Sequence, residues 1–228
     1  VSDTDSFIDE VTEEVRRDRL FRLMRRYGWI GILAILLLVG GAAWNEWRKA
    51  QTEAEAQAFG DALLTALAQE DAAERADALQ AIPAPGPGGA AVAGLLAADA
   101  QARGDAPGAA TRLLALADRS DVPAIYRRIA TLKAVALPDT GLSAEARRAR
   151  LAPLTDAPGL VRLLAEEQLA MIDIETGARA DALDRLATLA VDAEATEALR
   201  RRVAQVIVAL GEDVPEIPGA PGQAGVGQ

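Results

Sequence analysis

The chain contains neither cysteine nor histidine. The first absence excludes disulfides, thiolate nucleophiles and cysteine-ligated metals, and is compatible with an oxidising compartment without requiring one. The second removes Ser-His-Asp and Cys-His catalysis together with the commonest zinc ligand. Aromatic residues make up only 4% of a sequence that is 50% hydrophobic, so any core must be built from Ala, Leu and Val. That composition favours close-packed helices, because strands enrich β-branched and aromatic residues whereas Ala and Leu are strong helix formers. No glycine-rich phosphate loop, nucleophile elbow or metal-ligand spacing is present. The expectation is a non-catalytic protein without cofactor, metal site or small-molecule substrate.

Positive charge is scarce and unevenly placed. In residues 1–49 eight basic and eight acidic side chains cancel, which leaves 16 basic against 26 acidic residues in the remainder and puts the whole net charge of −10 there. A domain so acidic is repelled by nucleic acid and by anionic lipid headgroups, so neither is expected as its ligand.

Against this background one stretch is entirely free of charge. Residues 27–45 run through Ile, Leu, Val and Gly for 19 positions. As a helix they extend roughly 28 Å, close to the ~30 Å hydrocarbon thickness of a bilayer. Tyr27 and Trp29 at one end, Trp44 and Trp47 at the other, fall where amphipathic rings prefer the headgroup layer, while Ile32 and Leu36 lie between them as membrane-anchor residues. Arg16, Arg17, Arg19, Arg22, Arg25 and Arg26 precede the run, and only Arg48 and Lys49 follow it closely. By the positive-inside bias these six arginines determine topology, with the N-terminus cytoplasmic and the bulk of the chain exported. Two other readings compete: a cleaved signal peptide using the small residues 40–43, and a buried hairpin helix of a soluble protein.

Residues 1–26 read as a cytoplasmic amphipathic stem, with Phe7, Ile8, Val11, Val15, Leu20, Leu23 and Met24 near helical spacing and residues 3–6 supplying an N-cap. The span is assigned to 27–47. Beyond it, from 48 to 211, Ala/Leu-rich segments predict helices at 50–69, 71–82, 90–103, 107–119, 123–137, 143–154, 159–176, 179–191 and 193–210, with PAPGPGG at 83–89 as a loop. Residues 212–228, EDVPEIPGAPGQAGVGQ, bury too little to order themselves and are expected to be a disordered tail.

The punctuation of this region repeats. Gly104, Gly141, Gly177 and Gly211 each close an Ala/Leu helix, 37, 36 and 34 residues apart, and Glu70 occupies the same slot another 34 earlier. Glycine suits a helix terminus because the position beyond it often needs positive φ. Five residues past three of these glycines stand Ala109, Ala146 and Ala182, followed by Leu113 and Leu116, Leu151 and Leu154, and Leu186 and Leu189. A period near 34 containing two helices is the mark of tetratricopeptide-like repeats, in which stacked pairs bury a core that none can bury alone. The consensus is degenerate: large aromatics appear only as Phe59 and Tyr126, and Pro138 and Pro153 disturb the third repeat. The fold expected is all-α, a single N-terminal transmembrane helix followed by a degenerate α-solenoid.

The acidic residues Glu166, Glu167, Asp173 and Glu175 do not converge as a catalytic pair, since neighbours on a helix point about 100° apart. With Leu163, Leu164, Ala170 and Met171 as the buried stripe, they are expected on a solvated face. The basic clusters Arg147, Arg148 and Arg150, and Arg200 to Arg202, suit either an acidic partner segment or intrahelical pairing, such as Glu145 with Arg148 and Glu197 with Arg200 and Arg201. Which residues bind a partner is left open.

The stem SDTDSFIDEVTEEVRRDRLFRLMRRYGW, the single span, WNEWRKAQ just outside it and the exported degenerate repeat resemble the YfgM-like family of bacterial inner-membrane proteins. The resemblance implies an ancillary subunit of the SecYEG protein-conducting channel. It further implies a periplasmic repeat domain that works with a membrane-anchored chaperone related to prolyl isomerases, or with emerging client chains. An accessory subunit of another inner-membrane complex, respiratory, secretory or dividing, is the alternative.

Overall fold

The computed structural model describes residues 3–215, with side chains from Met24 onward. The described residues form nine α-helices and one 3-10 turn, with no strand. Contacts divide the chain between Ala58 and Phe59 into two units.

The first helix, α1 (Asp3–Leu67), is unbroken and contains the stem backbone, the apolar run and the segment after it. The amphipathic face and N-cap expected in the stem lie outside the described side chains. The remaining helices are α2 (Ala72–Ala81), α3 (Gly86–Gln101), α4 (Ala106–Ala117), α5 (Ala124–Ala136), α6 (Ala144–Leu151), α7 (Leu160–Glu175), α8 (Arg179–Val191) and α9 (Glu197–Ala209). Several begin where a short polar side chain caps free backbone N–H groups. Asp71 accepts from Ala73 and Glu74, Ser143 from Ala146 and Thr196 from Leu199.

Two local expectations are corrected. The PAPGPGG segment is loop only as far as Pro85, because α3 already starts at Gly86. Gly86, at φ +77°, turns the chain into the helix, and Pro87 sits in the first turn, where a missing N–H costs nothing. The helix expected over 143–154 stops at Leu151 and tightens into a 3-10 turn over Ala152–Leu154. Pro153 supplies the reason, since it cannot donate the next helical hydrogen bond.

The core is a chain of four clusters linked by two-sided helices. Ala66 of α1, Ala76 and Leu79 of α2 meet Ala97 and Ala100 of α3. The opposite side of α3, through Ala91 and Ala98, meets Leu113 and Leu116 of α4 and Ala130 and Ala134 of α5. Leu132 and Val135 of α5 then join Leu151, Leu154, Ala165, Leu169 and Ile172. Leu163 and Ala170 of α7 pass the core on to Leu186, Leu189, Leu199, Val203 and Ile207. Helices α3, α5 and α7 thus each serve two clusters at once, which is how a solenoid makes each repeat depend on its neighbours. The six leucines singled out by the repeat spacing are all buried, and the 0% exposure of Ala109 and Ala182 lets paired helices approach closely.

The last helix does not end in free chain. Glu212 N–H donates to the Ile207 carbonyl, Arg179 reaches both the Leu210 carbonyl and Glu212, and Val214 packs on the final cluster. Of the tail expected to be disordered, 212–215 is therefore attached to the repeat domain, and 216–228 lies outside the described residues.

Candidate membrane anchor and partner-binding surface

All six proposed anchor residues stand on α1 with their side chains bare. Tyr27, Trp29, Ile32, Leu36, Trp44 and Trp47 are each more than half exposed, as are Leu37, Leu38 and Val39 between them. Trp44 and Trp47, one helical turn apart, bring their ring centroids to 5.2 Å. At the other end the Arg26 guanidinium lies 5.9 Å from the Tyr27 ring centroid, within cation–π range. Arg25 and Arg26 are exposed, whereas Arg16, Arg17, Arg19 and Arg22 share the α1 backbone with side chains outside the described set. Among the described residues this is the one helix long and apolar enough to cross a membrane, with a mean hydropathy of 1.9 over its most apolar window and none of that window buried. A core helix of a soluble protein is mostly buried, so the buried-hairpin reading fails on this observation.

The repeat turns differ in detail. Gly141, Gly177 and Gly211 have φ of +76°, +81° and +83°, whereas Gly104 is not among the positive-φ residues. Its N–H bonds to the Gln101 carbonyl in a right-handed turn that other residues tolerate. Gly141 lies well past the end of α5, where Asp139 also adopts positive φ beside Pro138.

The charged residues depart from part of what was expected of them. Of the acids of α7, Glu175 lies on the solvated side, whereas Glu166 and Glu167 are largely covered and Asp173 is buried. Asp173 is buried and accepts from Arg148 of α6 at 2.8 Å and Arg185 of α8 at 3.0 Å, Glu166 accepts from Arg185, Glu167 from Arg202 of α9, and Glu175 from Arg147 of α6. Met171, assigned to the buried stripe, is exposed. Of the basic clusters, Arg147, Arg148, Arg150 and Arg202 pair with acids of other helices or their ends rather than within their own helix. Arg150 of α6 meets Asp118 at the end of α4, and Arg200 donates to the Asp192 carbonyl. Arg162 to Asp192 and Glu194, Arg179 to Glu212 and Lys133 to Asp99 continue the series. Most of these partners lie about one repeat apart in sequence, so the ladder ties each repeat to the next.

The ladder leaves its mark on acidity. Hydrogen bonding from Arg147 lowers the Glu175 carboxyl below its ordinary range, and Arg150 does the same to Asp118. Asp192 is lowered first by the Glu194 backbone N–H and further by Arg162.

What the sequence left open is a surface for a partner. A cavity of about 400 Å³ opens between the end of α4, the first two turns of α5 and the last turn of α6 with the 3-10 turn after it, lined by Asp118, Ala124, Arg127, Arg128, Thr131 and Arg150 among others. Arg127 and Arg128 went unremarked in the sequence although a signal was there. Helix α5 carries Arg127, Arg128 and Lys133 and no acid, so neither arginine has a carboxylate one turn away. Among the described residues, no group of Asp and Glu is arranged to hold a metal.

Compared with known proteins, residues 25–156 match the family model of a tetratricopeptide repeat-like domain. No curated protein and no solved structure matches the chain.

Proposed function

The chain belongs to the tetratricopeptide repeat-like domain family, and from that premise we propose that it is a non-catalytic membrane adaptor, held in the bilayer by 27–47 and engaging other proteins through its repeats. The observation that carries the reading is α1 itself. A single uninterrupted helix joins a bare apolar run of membrane-spanning length to the residues that open the repeat core, Leu63 and Ala66. Exposed in water, so many contiguous large apolar side chains are untenable for a soluble monomer, and a bilayer satisfies them.

The finer reading takes 1–26 as a cytoplasmic stem, 48–211 as a periplasmic repeat domain and 212–228 as its tail, in a bacterial inner membrane. The six arginines before the span support that orientation, and the resemblance to the YfgM-like family supports the partners. The span docks beside the SecYEG channel, and the repeat domain receives a membrane-anchored periplasmic chaperone or translocating clients. The alternative partner is another inner-membrane complex served by the same anchor-and-adaptor plan.

Purification of detergent-solubilised membranes through a tag on this protein separates the two. Recovery of channel subunits and a periplasmic chaperone supports the translocon reading. Enrichment of a different complex without them transfers the adaptor to that complex, and recovery of no partner from cross-linked membranes defeats the adaptor reading as a whole.

A further inference from the structure

The C-terminal end of the apolar run carries a face unlike the rest of α1. Trp44, Trp47, Arg48 and Gln51 recur at three- and four-residue spacing, so they line one side of the helix. All four are exposed, and the two indole rings lie 5.2 Å apart with their planes tilted by 40°. An exposed indole presents its N–H to whatever acceptor lies beside the helix.

The two cations at this end are not equivalent. Lys49 stands on the opposite side of the helix, with Glu46 one turn before it and Glu53 one turn after it, so two carboxylates answer its single charge. Arg48 has Trp44 and Asn45 in the turn before it and Gln51 and Thr52 in the turn after, none of them acidic. The Thr52 hydroxyl donates to the Arg48 carbonyl at 3.0 Å and leaves the guanidinium untouched. On the Arg48 side the first acid is Glu55, seven residues on and roughly 10 Å farther along the axis. The charge-free run ends at Asn45, which puts the Arg48 backbone about 4.5 Å beyond it along the helix. In a bilayer spanned by that run, the guanidinium reaches the phosphate layer while both indoles occupy the boundary between hydrocarbon and headgroups.

We propose that this face binds the phosphodiester of an anionic phospholipid headgroup, with Arg48 as the pairing cation and Trp44 and Trp47 packed on the glycerol and upper acyl region of the same lipid. The inference rests on the membrane-spanning reading above and adds a lipid preference to it. A guanidinium meets two phosphate oxygens at once, and its charged N–H donors hold them more strongly than neutral ones do. A zwitterionic headgroup answers its phosphate with its own cation, whereas an anionic one leaves that charge for Arg48. The acidic remainder of the chain repels such lipids, so attraction is confined to the one side of α1 where a cation stands without an acid one turn away.

The test uses the full chain in lipid nanodiscs, with Trp29→Phe throughout so that Trp44 and Trp47 are the only tryptophans. Bromine atoms on a lipid's acyl chains quench indole fluorescence on contact. Mixtures of brominated phosphatidylglycerol with ordinary phosphatidylcholine, and the converse, therefore report which lipid stands beside the pair. Phosphatidylglycerol is expected to be preferred by about fivefold, the worth of one cation at an anionic surface. Arg48→Gln abolishes the preference, Arg48→Lys keeps most of it because the charge remains, and Lys49→Gln leaves it unchanged. A preference unaltered in Arg48→Gln, or lost equally in Lys49→Gln, overturns the proposal. Loss of the preference on adding inorganic phosphate, but not chloride of equal ionic strength, marks a free-anion site and overturns it too. Shielding from both lipids in a sample that cross-links as a dimer through this face makes a second copy the occupant, with the same consequence. Equal quenching by the two lipids removes the headgroup assignment and leaves the membrane span standing. Quenching by neither, in a chain released at alkaline pH, defeats both.

Discussion

Arg148 of α6 donates to Asp173 of α7 at 2.8 Å, and Asp173, only 6% exposed, holds Arg185 of α8 with its other oxygen. One carboxylate thereby joins three successive helices across a repeat boundary. A buried charge is costly alone, but two guanidinium groups that keep part of their hydration balance it here. Asp173→Ala removes the acceptor and leaves both arginines facing a partly buried gap. The expected loss is about 2 kcal/mol, below the value for a fully buried pair because the arginines are 38% exposed. A lower urea midpoint by circular dichroism, with little change in slope, is the predicted observation. An unchanged midpoint contradicts the role given to this contact.

Stability is expected to depend on pH only in the acid range. The carboxyls of Glu175, Asp118 and Asp192 are depressed in the folded protein, so their contribution is fully present above the unfolded carboxylate range, about 4, and is lost as pH falls through the lower folded values. With no histidine in the chain, melting temperature is expected to be flat from about pH 8 to 5 and to fall below about 4. Glu175→Gln costs about 0.5 kcal/mol at neutral pH, since Glu175 is half exposed, and makes the acid decline shallower. A steep fall between pH 7 and 6 contradicts this assignment.

The repeat glycines are not equivalent, and substitution separates them. A Cβ at Gly177 meets nothing within 4 Å, so Gly177→Ala tests the backbone alone, and its φ of +81° predicts a loss of about 1 kcal/mol. Gly104 is equally open but lacks positive φ, so Gly104→Ala is expected to be neutral or to stabilise slightly by restricting the unfolded chain. Equal losses at both positions, measured by thermal unfolding, contradict the distinction.

The helices were legible because their signals are local. Apolar spacing and the leucines after Gly104, Gly141 and Gly177 act within a few turns of their own position, whereas the cap at Thr196, which starts α9 at Glu197 instead of the expected 193, went unread. The start of α3 was obscured by composition: six of the seven residues in PAPGPGG are proline or glycine, helix breakers in a helix interior, yet Gly86 and Pro87 serve at its first turn. The pairing of charges was not legible. Glu145 and Arg148 have the spacing for an intrahelical pair, but Arg148 finds Asp173, 25 residues away, because stacking places α6 against α7. Met171 was misplaced for the same reason, since α7 turns its two buried sides towards different neighbours and leaves that position bare. The candidate cavity needs α4, α5 and α6 together, so only the absence of acids from α5 was available in advance.

The central claim is that 27–47 divides the protein between two compartments, with the repeats outside. Protease added to spheroplasts tests it most directly, with tags placed in the stem and in the repeat domain. The account predicts digestion of the repeat domain and protection of a stem fragment that stays in the membrane pellet after alkaline extraction. A protected repeat domain with a digested stem reverses the orientation, and a mature chain beginning after residues 40–43 makes the apolar run a cleaved signal peptide; either result contradicts the claim.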